Sequence, residues 1–223
     1  PAFRCELDLL MSGGDGGDGF AFSYGPRADA AIAASVAETR RAVELLEGLE
    51  RAQEEGSGRS GGGSGGVGTA ICKELVESQV PLLLTYNSNQ ARAEALVSEL
   101  HAVSTDVACC QVSLQDLASL EAALDLGLEA YGRLHSVFIA TGYDIPQSPI
   151  SEVTPELWQR VMRSDAEGAF NAIHATLPHL RTGGGGSYVH ISSAGLLKYP
   201  PLDILSVAPK AAVEELIKGV AKE

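Results

Sequence analysis

A tract of glycines carries the most specific chemistry in this sequence of 223 residues. Glycines recur at positions 62, 66 and 68, and Val67, Ile71 and Leu75 have the spacing of one apolar helix face. Where a glycine-rich turn opens a helix, backbone N–H groups and the positive end of the helix dipole can hold a phosphate. Glycine also lets a pyrophosphate approach the main chain closely. The tract therefore predicts a phosphate-binding turn followed by a helix.

The same tract has the composition of a flexible linker, because residues 56–60 add further Gly and Ser directly before it. A phosphate-binding turn of the dinucleotide type should also follow a buried strand, whereas residues 50–55 are charged and helix-forming. The helix and strand that follow the tract favour an ordered turn over a linker. If the turn is ordered, another segment must fill the place of the missing strand, and we predict that Phe20–Tyr24 does so.

The composition favours a folded protein of the cytoplasm or another reducing compartment. Hydrophobic residues make up 45% of the chain, which excludes wholesale disorder. The formal net charge of −13 would repel nucleic acid and anionic lipid. No apolar run reaches the length of about 18 residues that a membrane span needs, and the N-terminus lacks the pattern of a signal peptide. We predict no metal site, and we expect free, buried thiols at the four cysteines, Cys5, Cys72, Cys109 and Cys110.

The chain divides near Gly56 into an N-terminal extension, residues 1–56, and a second domain, residues 57–223. Within the extension, residues 3–10 and Phe20–Tyr24 indicate a hairpin-like pair of strands. The Ala-, Leu-, Glu- and Arg-rich stretch 27–53 indicates one long amphipathic helix. Since such a helix buries its apolar face only against something else, we expect it to pack on a protein partner or on a second copy of the chain.

Beyond Gly56, strands and helices alternate, which is typical of a parallel sheet covered by helices. Thr154 is the predicted cap of one long helix, with Pro155 at its first position. The pattern predicts strands over 80–86, 107–112, 136–140 and 187–193, and further helices over 91–101, 117–130 and 206–222.

Residues 61–223 resemble the short-chain dehydrogenase/reductase family, most closely its 3-oxoacyl-carrier-protein reductase-like members. The family's T-G-x-x-x-G-x-G loop corresponds to Gly61–Gly68, and its strand ending in N-N-A-G corresponds to Ile139–Gly142. Its catalytic serine falls on Ser193, and its Y-x-x-x-K falls on Ser206–Lys210, so the lysine is kept and the tyrosine is not. The resemblance implies a Rossmann-like doubly wound parallel sheet. We expect it to be incomplete at both ends, with the hairpin and the long helix as an N-terminal extension.

The resemblance also implies roles for individual residues. Ser193 would orient the substrate oxygen and Lys210 would hold the nicotinamide ribose. No acidic residue follows Tyr86 to hold a ribose 2′-hydroxyl, which favours NADP over NAD, and Arg92 is a candidate contact for a 2′-phosphate. The implied cofactor-binding residues are Gly62, Ser64, Gly66, Val67, Gly68, Asn87, Ser88, Gln111, Gly142 and Lys210.

Three positions depart from the family's pattern. Asp165 replaces an asparagine that supports a proton relay, and Gln111 replaces an aspartate that usually meets the adenine. Ser206 replaces the tyrosine that protonates the alkoxide left by hydride transfer, and a serine hydroxyl is a far weaker acid. Ser206 and Lys210 lie one helical turn apart, but Ser206 is equally well interpreted as the N-cap of the last helix. Tyr199 is the nearest phenol in the sequence and the other candidate acid.

Two functions are compatible with these residues. The first is an NADP-dependent oxidoreductase acting on a carbonyl or alcohol such as an oxoacyl thioester, and Ser193, Lys210 and the glycine tract favour it. The second is an inactive relative without cofactor, kept as a binding or structural subunit of an assembly. The loss of the tyrosine and of the strand before the tract favours this second function.

Overall fold

A computed structural model of the chain describes residues 20–24, 63–142 and 145–223, with the backbone alone for residues 20–24 and 63–67. Five strands form one sheet in the order β3-β2-β1-β4-β5. This is the order of the first five strands in a doubly wound dinucleotide-binding sheet, so the predicted α/β, Rossmann-like fold is confirmed. The strands are β1 (Phe20–Tyr24), β2 (Leu82–Tyr86), β3 (Val107–Gln111), β4 (Leu134–Ile139) and β5 (Ser187–His190).

The central strand, β1, runs in the opposite direction to the other four. Ala21 pairs with Leu84 of β2 and with Phe138 of β4, both in antiparallel register, whereas β2–β3 and β4–β5 are parallel pairs. The prediction that Phe20–Tyr24 fills the place of the missing strand is confirmed, and the prediction of an entirely parallel sheet is wrong at this strand. Residues 25–62 separate β1 from α1 in the sequence, and a connection of this length permits either direction of β1.

Both edges of β1 are occupied, one by β2 and the other by β4. Residues 3–10 and the predicted helix over 27–53 lie outside the described residues. The domain boundary near Gly56 lies outside them too, and it stays a prediction.

Seven α-helices lie in the described residues, and their ends follow local sequence signals. Thr154 Oγ1 accepts a hydrogen bond from Leu157 N at 3.2 Å, which confirms the predicted cap, and Asn89 Oδ1 accepts one from Arg92 N at 3.1 Å. The helices are α1 (Gly63–Glu77), α2 (Gln90–Leu100), α3 (Leu117–Tyr131), α4 (Pro155–Met162), α5 (Gly168–Thr182), α6 (Gly195–Lys198) and α7 (Ile204–Val220). None of these helices is both long enough and apolar enough to cross a membrane.

Helices cover both faces of the sheet and enclose two apolar cores. In β2, Leu82 and Leu84 pack in one core and Leu83 in the other, as expected because successive side chains of a strand point to opposite faces. The first core holds residues of α1 and α2, including Ile71, Cys72, Leu75, Val76, Ala93 and Leu100. The second holds residues of α3, α5 and α7, including Leu120, Leu124, Ile173, Leu180, Val213 and Ile217.

A π-helical segment, Arg163–Glu167, joins α4 to α5 and changes which residues are buried. The sequence pattern predicts that Trp158 and Phe170 belong to one core face, but they are 36% and 50% exposed. A π turn adds a residue to one helical turn, so the faces before and after it no longer align. The buried residues of α5 are therefore Ala169, Ala172 and others of that rotated face.

The glycine tract is helical where the structure describes it. Residues 63–68 form the first turns of α1 and not a loop, which corrects the expectation of a turn extending to Gly68. Burial of Ile71 and Leu75 explains this, because tertiary packing of an apolar face stabilises a helix whose first residues have low intrinsic propensity. Gly61 and Gly62 lie outside the described residues.

Candidate active site

The carboxyl ends of four strands meet along one edge of the sheet. Tyr86 at the end of β2 pairs with Gln111 at the end of β3, and Ile139 at the end of β4 pairs with His190 at the end of β5. Strand order reverses direction about β1, between these two pairs. In open α/β sheets, ligands bind in the crevice at such a switch point. The carboxyl edge is therefore the place where the described residues can form a ligand site.

Helix α1 begins at the same edge. It packs against β1 and β2, and it ends at Glu77, a few residues before β2 starts at the opposite edge. With a rise of about 1.5 Å per residue, its 15 residues span the sheet and bring Gly63 back to the carboxyl edge. The N–H groups of a first helical turn have no partner within the helix, and they favour an anion. The backbone of Ser64, Gly66 and Val67 thus lies at the carboxyl edge, and its binding of phosphate stays a prediction.

Two glycines leave open space along the edge. A Cβ added to Gly68 or to Gly142 would meet no heavy atom within 4 Å. Gly142 follows β4 beyond the buried residues Ala140 and Thr141, so it stands above the switch point. Such open, side-chain-free positions suit the close approach of a dinucleotide to the main chain.

A side-chain hydrogen bond joins two of the residues at the predicted adenine end of the site. Gln111 Nε2 donates a hydrogen bond of 2.7 Å to the main-chain oxygen of Asn87, and both residues are exposed. Ser88 follows Asn87 in the exposed turn before α2. These three predicted cofactor residues therefore lie together at the ends of β2 and β3.

The opposite part of the site is formed by the residues that follow β5. Ser192 and Ser193 are both buried, and Ser193 Oγ accepts a hydrogen bond of 3.0 Å from Gly195 N. A Cβ added to Gly195 would lie 2.5 Å from Cγ2 of Val207, so only glycine allows α7 to pack this closely. The turn after β5 is thereby tied to the start of α7.

Helix α7 carries the second half of the predicted catalytic residues. Lys210 is 9% exposed and Ser193 is 7% exposed, so both are enclosed. α7 begins at Ile204, which places Ser206 as the third helical residue and corrects its interpretation as the N-cap. The N-cap is Asp203, whose main-chain oxygen accepts from Ser206 N at 3.1 Å.

Buried carboxylates lie on the same helix as Lys210 and on the segment that packs against this helix. Glu214 lies one helical turn further along α7, is buried, and accepts hydrogen bonds from Ser192 Oγ at 3.3 Å and from Lys218 Nζ at 2.7 Å. α7 also packs on the π-helical segment that holds the buried Asp165. Burial of an ammonium group is costly unless opposite charges compensate it, and Glu214 and Asp165 are buried carboxylates of α7 and of the segment that packs on it.

His190 lies at the end of β5 within this group. Its two ring nitrogens are shielded from solvent, and neither has a hydrogen-bond partner of good geometry in the described part of the chain. Burial, and after it the positive charge of Lys210, lowers the pKa of His190 to about 4, while the main chain of Ile139 and the charge of Glu214 act in the opposite direction. The ring is therefore neutral at physiological pH.

Tyr199 differs from the other predicted catalytic residues. It follows α6 with φ of 48°, in the left-handed region, and it is 77% exposed. It is not enclosed together with Ser193 and Lys210. Its role as an acid stays a prediction.

Sequence reasoning missed Asp203, Glu214 and His190 as members of this site. Asp203 and Glu214 lie seven residues before and four residues after Lys210, a spacing that places all three on one face of a helix. That signal was present in the sequence. The shielding of the His190 ring nitrogens could not be predicted, because an alternating strand has two faces and the sequence does not say which one meets α7. Among the described residues, no group of His, Cys, Asp and Glu could hold a metal ion.

Residues 61–223 match the family model described as short chain dehydrogenase. Three curated relatives show the range of similarity. A short-chain type dehydrogenase/reductase of Picea abies is 27% identical over 169 residues, which cover 73% of this chain and 62% of that protein. The 2,5-dichloro-2,5-cyclohexadiene-1,4-diol dehydrogenase LinX of Sphingobium indicum is 29% identical over 163 residues, covering 73% and 64%. A 3-oxoacyl-(acyl-carrier-protein) reductase FabG of Staphylococcus aureus is 25% identical over 162 residues, covering 73% and 65%.

Solved structures agree on the fold. A dehydrogenase/reductase from Sinorhizobium meliloti is 31% identical with a TM-score of 0.55, over 62% of this chain and 54% of that one. A short-chain type dehydrogenase/reductase from Mycobacterium ulcerans has a TM-score of 0.59 at 24% identity, over 62% and 51%. The chain spans less than two thirds of the length of the three curated relatives above.

Proposed function

The chain belongs to the short chain dehydrogenase family, and on that premise we propose that it is an NAD(P)-dependent oxidoreductase that interconverts a carbonyl and an alcohol. One observation carries the proposal. Two residues with family counterparts, Ser193 and Lys210, are enclosed at the same carboxyl edge where α1 begins. A buried lysine is costly unless it has a task or a compensating network, and here buried carboxylates lie on its own helix and on the segment packed against it.

The residues present fit a dinucleotide. The N-terminus of α1 would hold the pyrophosphate, the open positions at Gly68 and Gly142 would admit its backbone, and Lys210 would bind the ribose. When bound, the nicotinamide supplies or accepts the hydride. Ser193 would donate a hydrogen bond to the substrate oxygen and so hold the carbonyl in position.

We propose NADP as the preferred cofactor. No carboxylate follows β2, where one would bind a ribose 2′-hydroxyl and repel a 2′-phosphate; the turn consists of Asn87, Ser88 and Asn89. Asn89 caps α2, so the N-terminus of that helix directly follows this turn, and the exposed Arg92 lies in the first turn of the helix. For the substrate, the similarity to a 3-oxoacyl-(acyl-carrier-protein) reductase supports an oxoacyl thioester as the first compound to test.

The alternative of an inactive structural subunit gains no specific support. The relatives described above are named as dehydrogenases or reductases. The central strand that appeared to be missing is supplied by Phe20–Tyr24. Packing of an N-terminal helix on a protein partner or a second copy stays a prediction.

Titration of the full chain with NADPH and NADH, followed by nucleotide fluorescence, tests this function. We expect saturable binding, tighter for NADPH. Lys210→Ala should weaken binding by about tenfold or more, because it removes a charge-assisted hydrogen bond to the ribose. Lys222→Ala, at an exposed lysine near the C-terminus, is the matched control and should bind like the unmodified protein. Absence of binding to either nucleotide would refute the proposal.

A further inference from the structure

Asp203 stands in the site at a helix N-cap but does not act as one. An aspartate in this position usually accepts a hydrogen bond from the N–H of the second or third helical residue. In α7 the side chain of Asp203 makes no such bond, and only its main-chain oxygen accepts from Ser206 N and Val207 N, at 3.1 and 3.0 Å. The carboxyl group is therefore available for another use.

The carboxyl group lies beside Ser193. The position that a Cβ on Gly195 would occupy is 3.0 Å from Ser193 Oγ and 3.4 Å from Asp203 Oδ2, so the two oxygens flank the same glycine. Lys210 lies two helical turns further along α7, close enough for its charge to act on the carboxyl group. Asp203 is half-buried, which leaves a path to solvent. These two distances limit the separation of Asp203 Oδ2 and Ser193 Oγ to about 6 Å, so an ionisable oxygen lies within reach of a substrate oxygen that Ser193 would hold.

We propose that Asp203 is the proton donor and acceptor of this active site, in place of a tyrosine at position 206. The inference rests on the proposed function. In the reducing direction a bound nicotinamide would supply the hydride to the carbonyl carbon, the π electrons of the C=O bond would move to oxygen, and the carboxyl proton of Asp203 would form the new O–H bond. Asp203 would be left as a carboxylate and would regain its proton from solvent. In the oxidising direction the carboxylate would accept the hydroxyl proton of the alcohol while the hydride passes from the carbinol carbon to the oxidised nicotinamide.

The protonation state of Asp203 fits both directions. Burial raises the pKa of the Asp203 carboxyl, and the charge of Lys210 opposes that shift. The other ionisable groups packed around this region are His190 on β5, Asp165 on the π-helical segment and Glu214 on α7. Reduction needs the protonated carboxyl and should be faster at acid pH. Oxidation needs the carboxylate and should be faster above the carboxyl pKa.

The test uses the full chain with NADPH and NADH for the reduction of cyclohexanone and an acetoacetyl thioester, and with NADP⁺ and NAD⁺ for the oxidation of cyclohexanol. Asp203→Asn keeps the shape of the side chain and removes its proton. We expect kcat/KM to fall by about 10²- to 10⁴-fold, the loss typical of a missing general acid, with the affinity for NADPH unchanged. Asp203→Glu should recover part of the rate. Asp125→Asn, on the exposed surface of α3, is the matched control.

Two further readouts separate proton transfer from a structural role. In the pH profile of kcat/KM for reduction, the increase toward acid pH should be lost in Asp203→Asn and kept in Asp125→Asn. The infrared band of a protonated carboxyl should disappear across the same pH limb in the unmodified protein and be absent from Asp203→Asn.

Each negative result has a defined meaning. Failure to bind either nucleotide would refute the proposed function. Binding without turnover of any of the three compounds would overturn the role of Asp203 and leave the cofactor site in place. If Asp203→Asn turns over within about twofold of the unmodified rate and still reduces faster at acid pH, the role of Asp203 is overturned. The proposed oxidoreductase function would stand. Circular dichroism of Asp203→Asn must match the unmodified protein for the comparison to hold.

Discussion

His190 is a neutral histidine beside a buried lysine, and it makes the stability of the folded protein sensitive to acid. The pKa of His190 is lowered to about 4 in the folded protein, whereas an unfolded chain protonates its histidines near the reference value of 6.5. Between these two values the unfolded chain binds more protons than the folded one. Stability is therefore lost as pH falls from about 6.5 to about 4, and the loss levels off below that range.

Replacing His190 tests this dependence. We expect His190→Gln to reduce the loss of stability between pH 6.5 and pH 4, because each unit of pKa difference that it removes corresponds to about 1.4 kcal/mol. Urea unfolding at several pH values measures the slope. His174→Gln, on the exposed side of α5, should leave the slope unchanged. An equal slope in the unmodified protein and in His190→Gln would show that other groups cause the acid sensitivity.

Ser206 occupies the position of the family's tyrosine, so replacing it by tyrosine tests whether a phenol restores the proton donor. It is the third residue of α7, one turn before the buried Lys210. We expect Ser206→Tyr to raise ketone reduction by about tenfold or more at pH 8, since a phenol near a lysine stays protonated at pH values where a carboxyl does not. Ser206→Phe adds the ring without the hydroxyl and is the control. If both variants reduce ketones equally well, the gain does not come from the phenol.

At the scale of residues, the sequence indicates individual members of the candidate site better than it indicates which of them lie close together. Ser193 and Lys210 were identified by resemblance, and both are enclosed at the predicted edge. The side chain of Asp203 was not identified, because an aspartate before a helix is normally explained as a cap. Only the packing of α7 against Gly195 shows that the carboxyl group of Asp203 and the hydroxyl of Ser193 lie close to the same glycine.

At the scale of elements, the centre of the sheet depends on β1. Phe22 lies opposite Leu83 of β2 and Val137 of β4, so its main chain sits between two strands. We expect Phe22→Pro to cost about 3 kcal/mol or more, because proline removes a ladder hydrogen bond from a central strand. Phe22→Leu, which keeps the N–H group, is the control. Thermal unfolding of both variants is the measurement, and a small loss in Phe22→Pro would argue against the central position of β1.

The existence of the elements was predictable, and the direction of β1 was not. Alternating apolar patterns and caps such as Thr154 mark the helices and strands to within a few residues. A strand has the same alternating pattern whichever way it runs, so no pattern in Phe20–Tyr24 could distinguish parallel from antiparallel pairing. The sequence does not reveal the π-helical segment either, because one residue inserted into a helical turn leaves a composition that is still typical of an α-helix.

At the scale of the whole molecule, the three-layer arrangement separates packing from chemistry. The two cores lie on the faces of the sheet, and the buried polar residues Ser192, Ser193, Lys210 and Glu214 lie at or beyond its carboxyl edge. The fold could be predicted because periodicity reports on the faces. The edge could not be predicted in detail, because it is assembled from loops that are distant in the sequence.

The reversed central strand also affects the order in which the chain can assemble. The parallel pair β2–β3 is formed by neighbouring segments joined through α2, whereas Ala21 must find both Leu84 and Phe138. Closing such long loops carries an entropic cost that local pairs do not meet, and contacts between distant segments slow folding. Until β1 is in place, β2 and β4 each expose an unpaired inner edge, which can pair with strands of other molecules. The central strand therefore protects the folding chain from aggregation as well as completing its sheet.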